Sequence, residues 1–109
     1  MAYTRGDVVL VPFPFRDQAT TRVRPAVVLS EDAYNQHGDL IVAAITTHPP
    51  RFPSDYQLAD WQAANLVAPS VIRIQLATMA GSRVVHRIGQ LSSVDLVEVG
   101  TRLKQVLGL

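Results

Sequence analysis

The chain has 109 residues, 48% of them hydrophobic, with ten basic and nine acidic side chains and no cysteine. That length supports one core and not two, so residues 1–109 read as a single domain, and the apolar fraction excludes a disordered chain. A disulfide framework and thiolate metal sites are excluded, and no apolar run reaches the roughly 18 residues of a membrane helix. The start "MAYTRGD" lacks the charged and then apolar pattern of a secretory signal, so a cytoplasmic protein with no membrane contact is expected.

A formal net charge of +1 hides an uneven distribution. Between Trp61 and Val94 the chain carries Arg73, Arg83, His86 and Arg87 and no acid. Nearly all the basic residues are arginine, whose planar fork suits phosphate better than the point charge of lysine. This pattern permits a nucleic-acid partner without requiring one.

In chain order, "GDVVLVPFPF" from Gly6 is rich in branched and aromatic residues and predicts a strand, with Pro12 and Pro14 marking an edge or a bulge at its far end. The polar connection "RDQATTRV" leads into "PAVVLS", a second strand that Arg24 enters in extended form because Pro25 follows it. "EDAYNQHGD" predicts a short helical turn or loop, and "LIVAAIT" a third strand. After the proline-rich loop "THPPRFPSD", "YQLA" is a short strand, and "APSVIRIQLATM" and "RVVHRIGQLS" are two more. "SSVDLVEVGTRLKQVLGL" predicts a C-terminal helix, opened by Ser92 with Asp95 in a variant capping box. Leu96, Val99, Leu103, Val106 and Leu107 form its buried face, and Gly108 ends it. Short strands joined by turns point to a small, strongly bent sheet or partly closed barrel.

His37, His48 and His86 are far apart with no carboxylate at ligand spacing, so no metal site is expected. No phosphate loop, dinucleotide fingerprint or nucleophile elbow is present, and no cofactor is expected. What remains is arginine, threonine and histidine at strand ends, equipment for holding phosphate. Arg24, Ala26, Val28 and Ser30 share one strand face, as do Thr46 and His48. The short connection between the second and third strands favours antiparallel pairing, which allows Arg24 and Thr46 to lie at the same end.

The blocks "RGDVVLVPFPF", "RPAVVLS", "DLIVAAITT", "PSVIR" and "RIGQLSSVDLVEV" followed by "LKQVLGL" resemble, in order, those of the MazF/PemK family of ribonuclease toxins from bacterial toxin–antitoxin pairs. The resemblance implies a mainly β, SH3-like barrel of antiparallel strands with a C-terminal helix. It further implies a homodimer, cleavage of single-stranded mRNA at short sequences, and an antitoxin whose tail covers the RNA groove. The family arginine of R-P-A-V-V-L falls on Arg24 and the threonine after the third strand on Thr46, the pair at the scissile phosphate. Gln75 and Thr78 are a weaker transfer, because "PSVIRIQLATM" is one residue short there. The loop "RDQATTRV" lacks the family's glycine and serine, leaving Asp17, Thr20 and Thr21 as substitutes. Phe15 and Arg22 beside this loop, and Thr47 and His48 after Thr46, complete the expected RNA-contacting set.

A metal-free ribonuclease of this kind uses the substrate's own 2'-hydroxyl, giving a 2',3'-cyclic phosphate and a 5'-hydroxyl. Arg24 suits stabilisation of phosphoryl charge and not proton abstraction, since a guanidinium does not lose its proton. His48 is a candidate proton shuttle, set against the preferred, plainer reading of a loop residue. Tyr56 and Trp61 read as core or interface in preference to base-stacking groups. Two other functions fit the same fold: a DNA gyrase inhibitor like CcdB, and a binding module without catalysis.

Overall fold

The computed structural model describes residues 2–14 and 22–109, so Phe15, Asp17, Thr20 and Thr21 lie outside the described residues. The elements run β1 (Asp7–Phe13), β2 (Arg22–Val28), α1 (Asp32–Asn35), β3 (Asp39–Thr46), β4 (Tyr56–Gln57), β5 (Val71–Ala80), β6 (His86–Gln90) and α2 (Ser93–Leu107). Among the described residues six strands form one antiparallel sheet in the order β4-β5-β3-β2-β1-β6, curled into a half-barrel. The expected mainly β architecture with a C-terminal helix is what forms.

The branched residues of the central strands bury both faces of the sheet. Val9, Val11, Phe13, Ala26, Val28, Leu40, Val42 and Ala44 pack inside the curl, together with Tyr3, Met79 and Val84. Val8, Val27, Ala43, Ile45 and Ile72 face the other way and are covered by Val99 of α2, Leu58 and Ala64, with Trp61, Leu96 and Leu103 packed around them. Each valine, leucine, isoleucine or phenylalanine among them contributes about 1.5–3 kcal/mol on leaving water, the main favourable term for a domain of this size. Pro12 sits in β1 opposite Val23, but β6 pairs with β1 only as far as Leu10. Proline is therefore tolerated where β1 has a strand on one side only.

The turn from β2 to β3 is fastened by side chains. Ser30 Oγ accepts the Ile41 amide at 3.0 Å and donates to Asn35, whose amide group reaches the Tyr3 carbonyl at 2.8 Å. Gly38 turns the chain at φ 104°, a conformation open to glycine. This compact connection makes β2 and β3 antiparallel neighbours.

Ser92 caps α2 by accepting the Asp95 amide at 3.2 Å, and Gly108 closes it in the left-handed conformation. The reciprocal half of the capping box does not form. The Asp95 carboxylate is wholly buried and instead accepts the Tyr56 hydroxyl and the Ala59 and Asp60 amides. The first turn of α2 is thus clamped to the segment around β4, and Arg102 and Leu103 hold the helix further along. Val106 and Leu107, expected on the buried face, stay about half exposed beyond the core cluster.

Candidate active site

β2 and β3 pair through Val28↔Val42, Val27↔Ala43 and Ala26↔Ala44. Carried two residues further, that register sets Arg24 opposite Thr46, both on the face that lies inside the curl. The β2–β3 ladder stops at Ala26↔Ala44, whereas β1 still holds Arg24 through the pair Val11↔Arg24. The two side chains therefore stand where the strands part, on a backbone fixed from the β1 side.

Arg24 is partly exposed; its Nη1 donates to the Val23 carbonyl at 3.2 Å, and among the described residues it has no carboxylate partner. Thr46 Oγ1 accepts the His48 backbone amide at 3.2 Å, a local turn that orients the hydroxyl. With its oxygen so engaged, the hydroxyl hydrogen is left to donate. A permanently charged fork beside an oriented hydroxyl donor is suited to an oxyanion with several oxygens, and a phosphate fits that description.

Arg22 at the start of β2 and Thr47 and His48 after β3 are exposed beside this pair. Gln75 lies in a bulge of β5. Ala43 pairs with Leu76 but the adjacent Ala44 pairs with Arg73, so Ile74 and Gln75 have no partners across the ladder. Thr78 is not brought to the site: it pairs with Ile41 and faces away from Thr46. It lines instead a cleft of about 290 Å³ with Pro12, Pro14 and Arg83. Phe15, Asp17, Thr20 and Thr21 lie outside the described residues.

Three neighbours of the site come from the tertiary fold, and among them only Arg73 stood out in the sequence, as a basic residue of the acid-free stretch. The row through Thr46 continues to Val71 on β5 and to exposed Gln57 on β4. One row further in, Arg73 opposite Ala44 makes a two-pronged ion pair with buried Asp55, at 3.1 and 3.4 Å. Burial alone would raise the Asp55 carboxyl, but the Arg51 and Phe52 amides and the Arg73 guanidinium outweigh it and hold the group below its ordinary value. The third is Phe52, 55% exposed, with the Arg51 and Arg73 guanidinium carbons 5.8 and 5.7 Å from its ring centre. Alternation along "DYQ" does put Asp55 and Gln57 on one face, but only the β4–β5 pairing shows whose face it is.

The acid-free stretch from 61 to 94 is less basic in three dimensions than in sequence. Arg73 is matched by Asp55, and Arg87 by the buried Asp7 at 3.1 Å. Arg83 is exposed and borders the Pro12 cleft. Tyr56 and Trp61 pack against the core, as their isolation in the sequence suggested. Among the described residues no cluster of histidine and carboxylate could hold a metal ion, and no helix is long and apolar enough to cross a membrane.

The fold aligns with solved structures over almost its whole length. One is an endoribonuclease in complex with its cognate antitoxin from a mycobacterial species, 19% identical, TM-score 0.81, covering 99% of this chain and 97% of that one. Another is MazF from Deinococcus radiodurans, 25% identical, TM-score 0.80, covering 100% and 99%. A third is the Mycobacterium tuberculosis toxin MazF-mt6, 17% identical, TM-score 0.77, covering 94% and 97%. No curated protein sequence matches significantly. The family model for the PemK-like, MazF-like toxins of type II toxin–antitoxin systems matches residues 4–107, and the chain belongs to that family.

Proposed function

We propose that this toxin is an endoribonuclease that cuts single-stranded mRNA without a metal ion, through the substrate's own 2'-hydroxyl. The bond from the 2'-oxygen to phosphorus forms as the bond from phosphorus to the 5'-oxygen breaks. The 2'-proton is lost, the 5'-oxygen gains one, and the products end in a 2',3'-cyclic phosphate and a 5'-hydroxyl. Arg24 takes the non-bridging oxygens in its fork, and Thr46 donates its free hydroxyl hydrogen to the same group as charge builds there.

What supports this reading is the β2–β3 register, which ends at Ala26↔Ala44 and, carried two residues on, brings Arg24 and Thr46 to the same end of one face. Arg22, Thr47, Gln75 and the loop between β1 and β2 supply RNA contacts around it. The toxin works in the cytoplasm as a homodimer and is neutralised by a cognate antitoxin, in keeping with the related endoribonuclease solved bound to its own.

The test is incubation of the purified protein with a long RNA in the presence of a chelator. Discrete fragments with cyclic-phosphate ends, abolished by Arg24→Ala, are expected. An intact RNA overturns the reading, and inhibition of DNA gyrase by the same preparation would put a gyrase-directed toxin in its place.

A further inference from the structure

Phe52 is the most exposed aromatic ring among the described residues, and it is held in place as few exposed rings are. Asp55 Oδ2 accepts the Arg51 amide at 2.8 Å and the Phe52 amide at 3.2 Å, and the Asp55 amide donates back to the Phe52 carbonyl at 3.0 Å. Arg102 of α2 then donates to the Pro53 and Asp55 carbonyls at 2.9 and 2.6 Å, tying the turn to the helix. The ring itself carries a guanidinium from Arg51 and another from Arg73. The loop tip is thus fastened to β5 through Arg73 and to α2 through Arg102, while half of the ring faces solvent.

The platform reaches the Thr46 side of the site through Arg73. Val71 is the direct partner of Thr46 on β5, and Arg73 is two residues further along on the same face. Diagonal neighbours in such a ladder are about 7–8 Å apart. A half-exposed ring on an anchored turn, with two guanidiniums over it, offers an unpaired nucleobase a stacking surface beside positive charge, and pre-ordering removes much of the entropy cost of stacking. An apolar protein contact would call for neither cation, and Asp55 neutralises only one of the two.

Resting on the endoribonuclease reading, we infer that the exposed part of Phe52 is the stacking platform for the base of a nucleotide flanking the cleaved phosphate. Phe52 is a substrate-positioning residue that touches the base and not the reacting atoms. Stacking is indifferent to base identity, so the platform places the strand and leaves sequence choice to other groups.

The experiment is a cycle of two changes on a short RNA that the wild type cleaves. Phe52→Leu is combined with a series of RNAs in which one nucleotide at a time, on either side of the cut, lacks its base. Phe52→Leu is expected to lower kcat/KM about tenfold or more on intact RNA, with Phe52→Trp restoring it. One abasic position is expected to lower the wild-type rate by a similar factor and to cost the Phe52→Leu enzyme nothing further. Losses that simply multiply at every position overturn the platform while leaving the nuclease intact. So does a Phe52→Leu enzyme of full activity that has lost only its affinity for antitoxin. A wild type that cleaves no RNA overturns the nuclease reading and the platform with it. A matching melting temperature for Phe52→Leu and wild type separates positioning from damage to the fold.

Discussion

Tyr56 on the edge strand β4 donates its hydroxyl to Asp95, the wholly buried carboxylate in the first turn of α2. Burial raises the Tyr56 hydroxyl above its ordinary pKa of 10.0, and the bond to Asp95 raises it further. The folded state therefore keeps a proton that the unfolded chain releases. Stability contributed by this group is complete below pH 10 and falls as the pH climbs above it. Tyr56→Phe is expected to flatten that alkaline decline while costing about 1.5–3 kcal/mol at neutral pH, since Asp95 loses one of its donors. Urea melts of both proteins at neutral pH and above pH 10 check the pair of effects.

The same carboxylate shows how far the sequence could be read. Ser92 followed by Asp95 announced where α2 begins, and the local half of that signal, the Ser92 cap, forms. Partners 39 residues away do not appear in a local pattern, so the role of Asp95 as the clamp on β4 was invisible. The candidate site divides in the same way. Alternation and a short β2–β3 connection were enough to bring Arg24 and Thr46 to one end of one face. Phe52 and Asp55 depend on how the proline-rich loop folds back on β5, which is decided by tertiary pairing with Arg73. Thr78 stands five residues after Arg73, an odd spacing that turns it to the opposite face, and its pairing with Ile41 keeps it away from Thr46.

Asp55 joins the site to acid stability. Its carboxyl sits below the ordinary value of 3.8 in the folded protein, so its stabilising contribution is present above that pH and is lost as the pH falls through the lower, folded value. Asp55→Asn is expected to remove part of the acid unfolding transition. It also leaves Arg73 without its counter-charge, at a cost of roughly 3 kcal/mol at neutral pH. Thermal melts from neutral pH down to pH 3 check both effects, with wild type and variant converging at the acid end.

Two buried or half-buried glycines are expected to respond oppositely to alanine. A Cβ on Gly89 in β6 would lie 2.5 Å from the Ala64 carbonyl oxygen, a backbone atom of the segment that packs there. Gly89→Ala is expected to cost at least about 2 kcal/mol, since backbone has to shift. A Cβ on Gly100 in α2 would meet only the end of the Arg5 side chain, at 2.9 Å. Arg5 Nε has no hydrogen-bond partner to lose, so that side chain moves cheaply. The helix gains about 1 kcal/mol of propensity on replacing glycine, and Gly100→Ala is expected to be neutral or stabilising. Denaturant midpoints of the two variants, at unchanged m-value, decide it.

The hydroxyl of Thr46 supplies the most discriminating set of variants for the proposed reaction. Its oxygen accepts the His48 amide, so its hydrogen is aimed by the turn and not by rotation in solvent. Thr46→Val keeps the shape, removes the donor and leaves the His48 amide unpaired, and is expected to lower kcat about 100-fold, as loss of one oxyanion donor does. Thr46→Ser keeps both hydrogen bonds and is expected to stay close to wild type. Arg24→Lys keeps the charge but loses the fork, and is expected to fall well below wild type where Arg24→Ala falls to background. His48 engages Thr46 through its backbone, while its ring belongs to an exposed residue. His48→Ala is therefore expected to leave both the cleavage rate and its pH profile unchanged, and a lost limb in that profile would assign the proton transfer to His48 instead. Single-turnover cleavage of one defined RNA by all five variants, followed from pH 5 to pH 9, separates a missing donor from a missing charge and from a missing proton carrier.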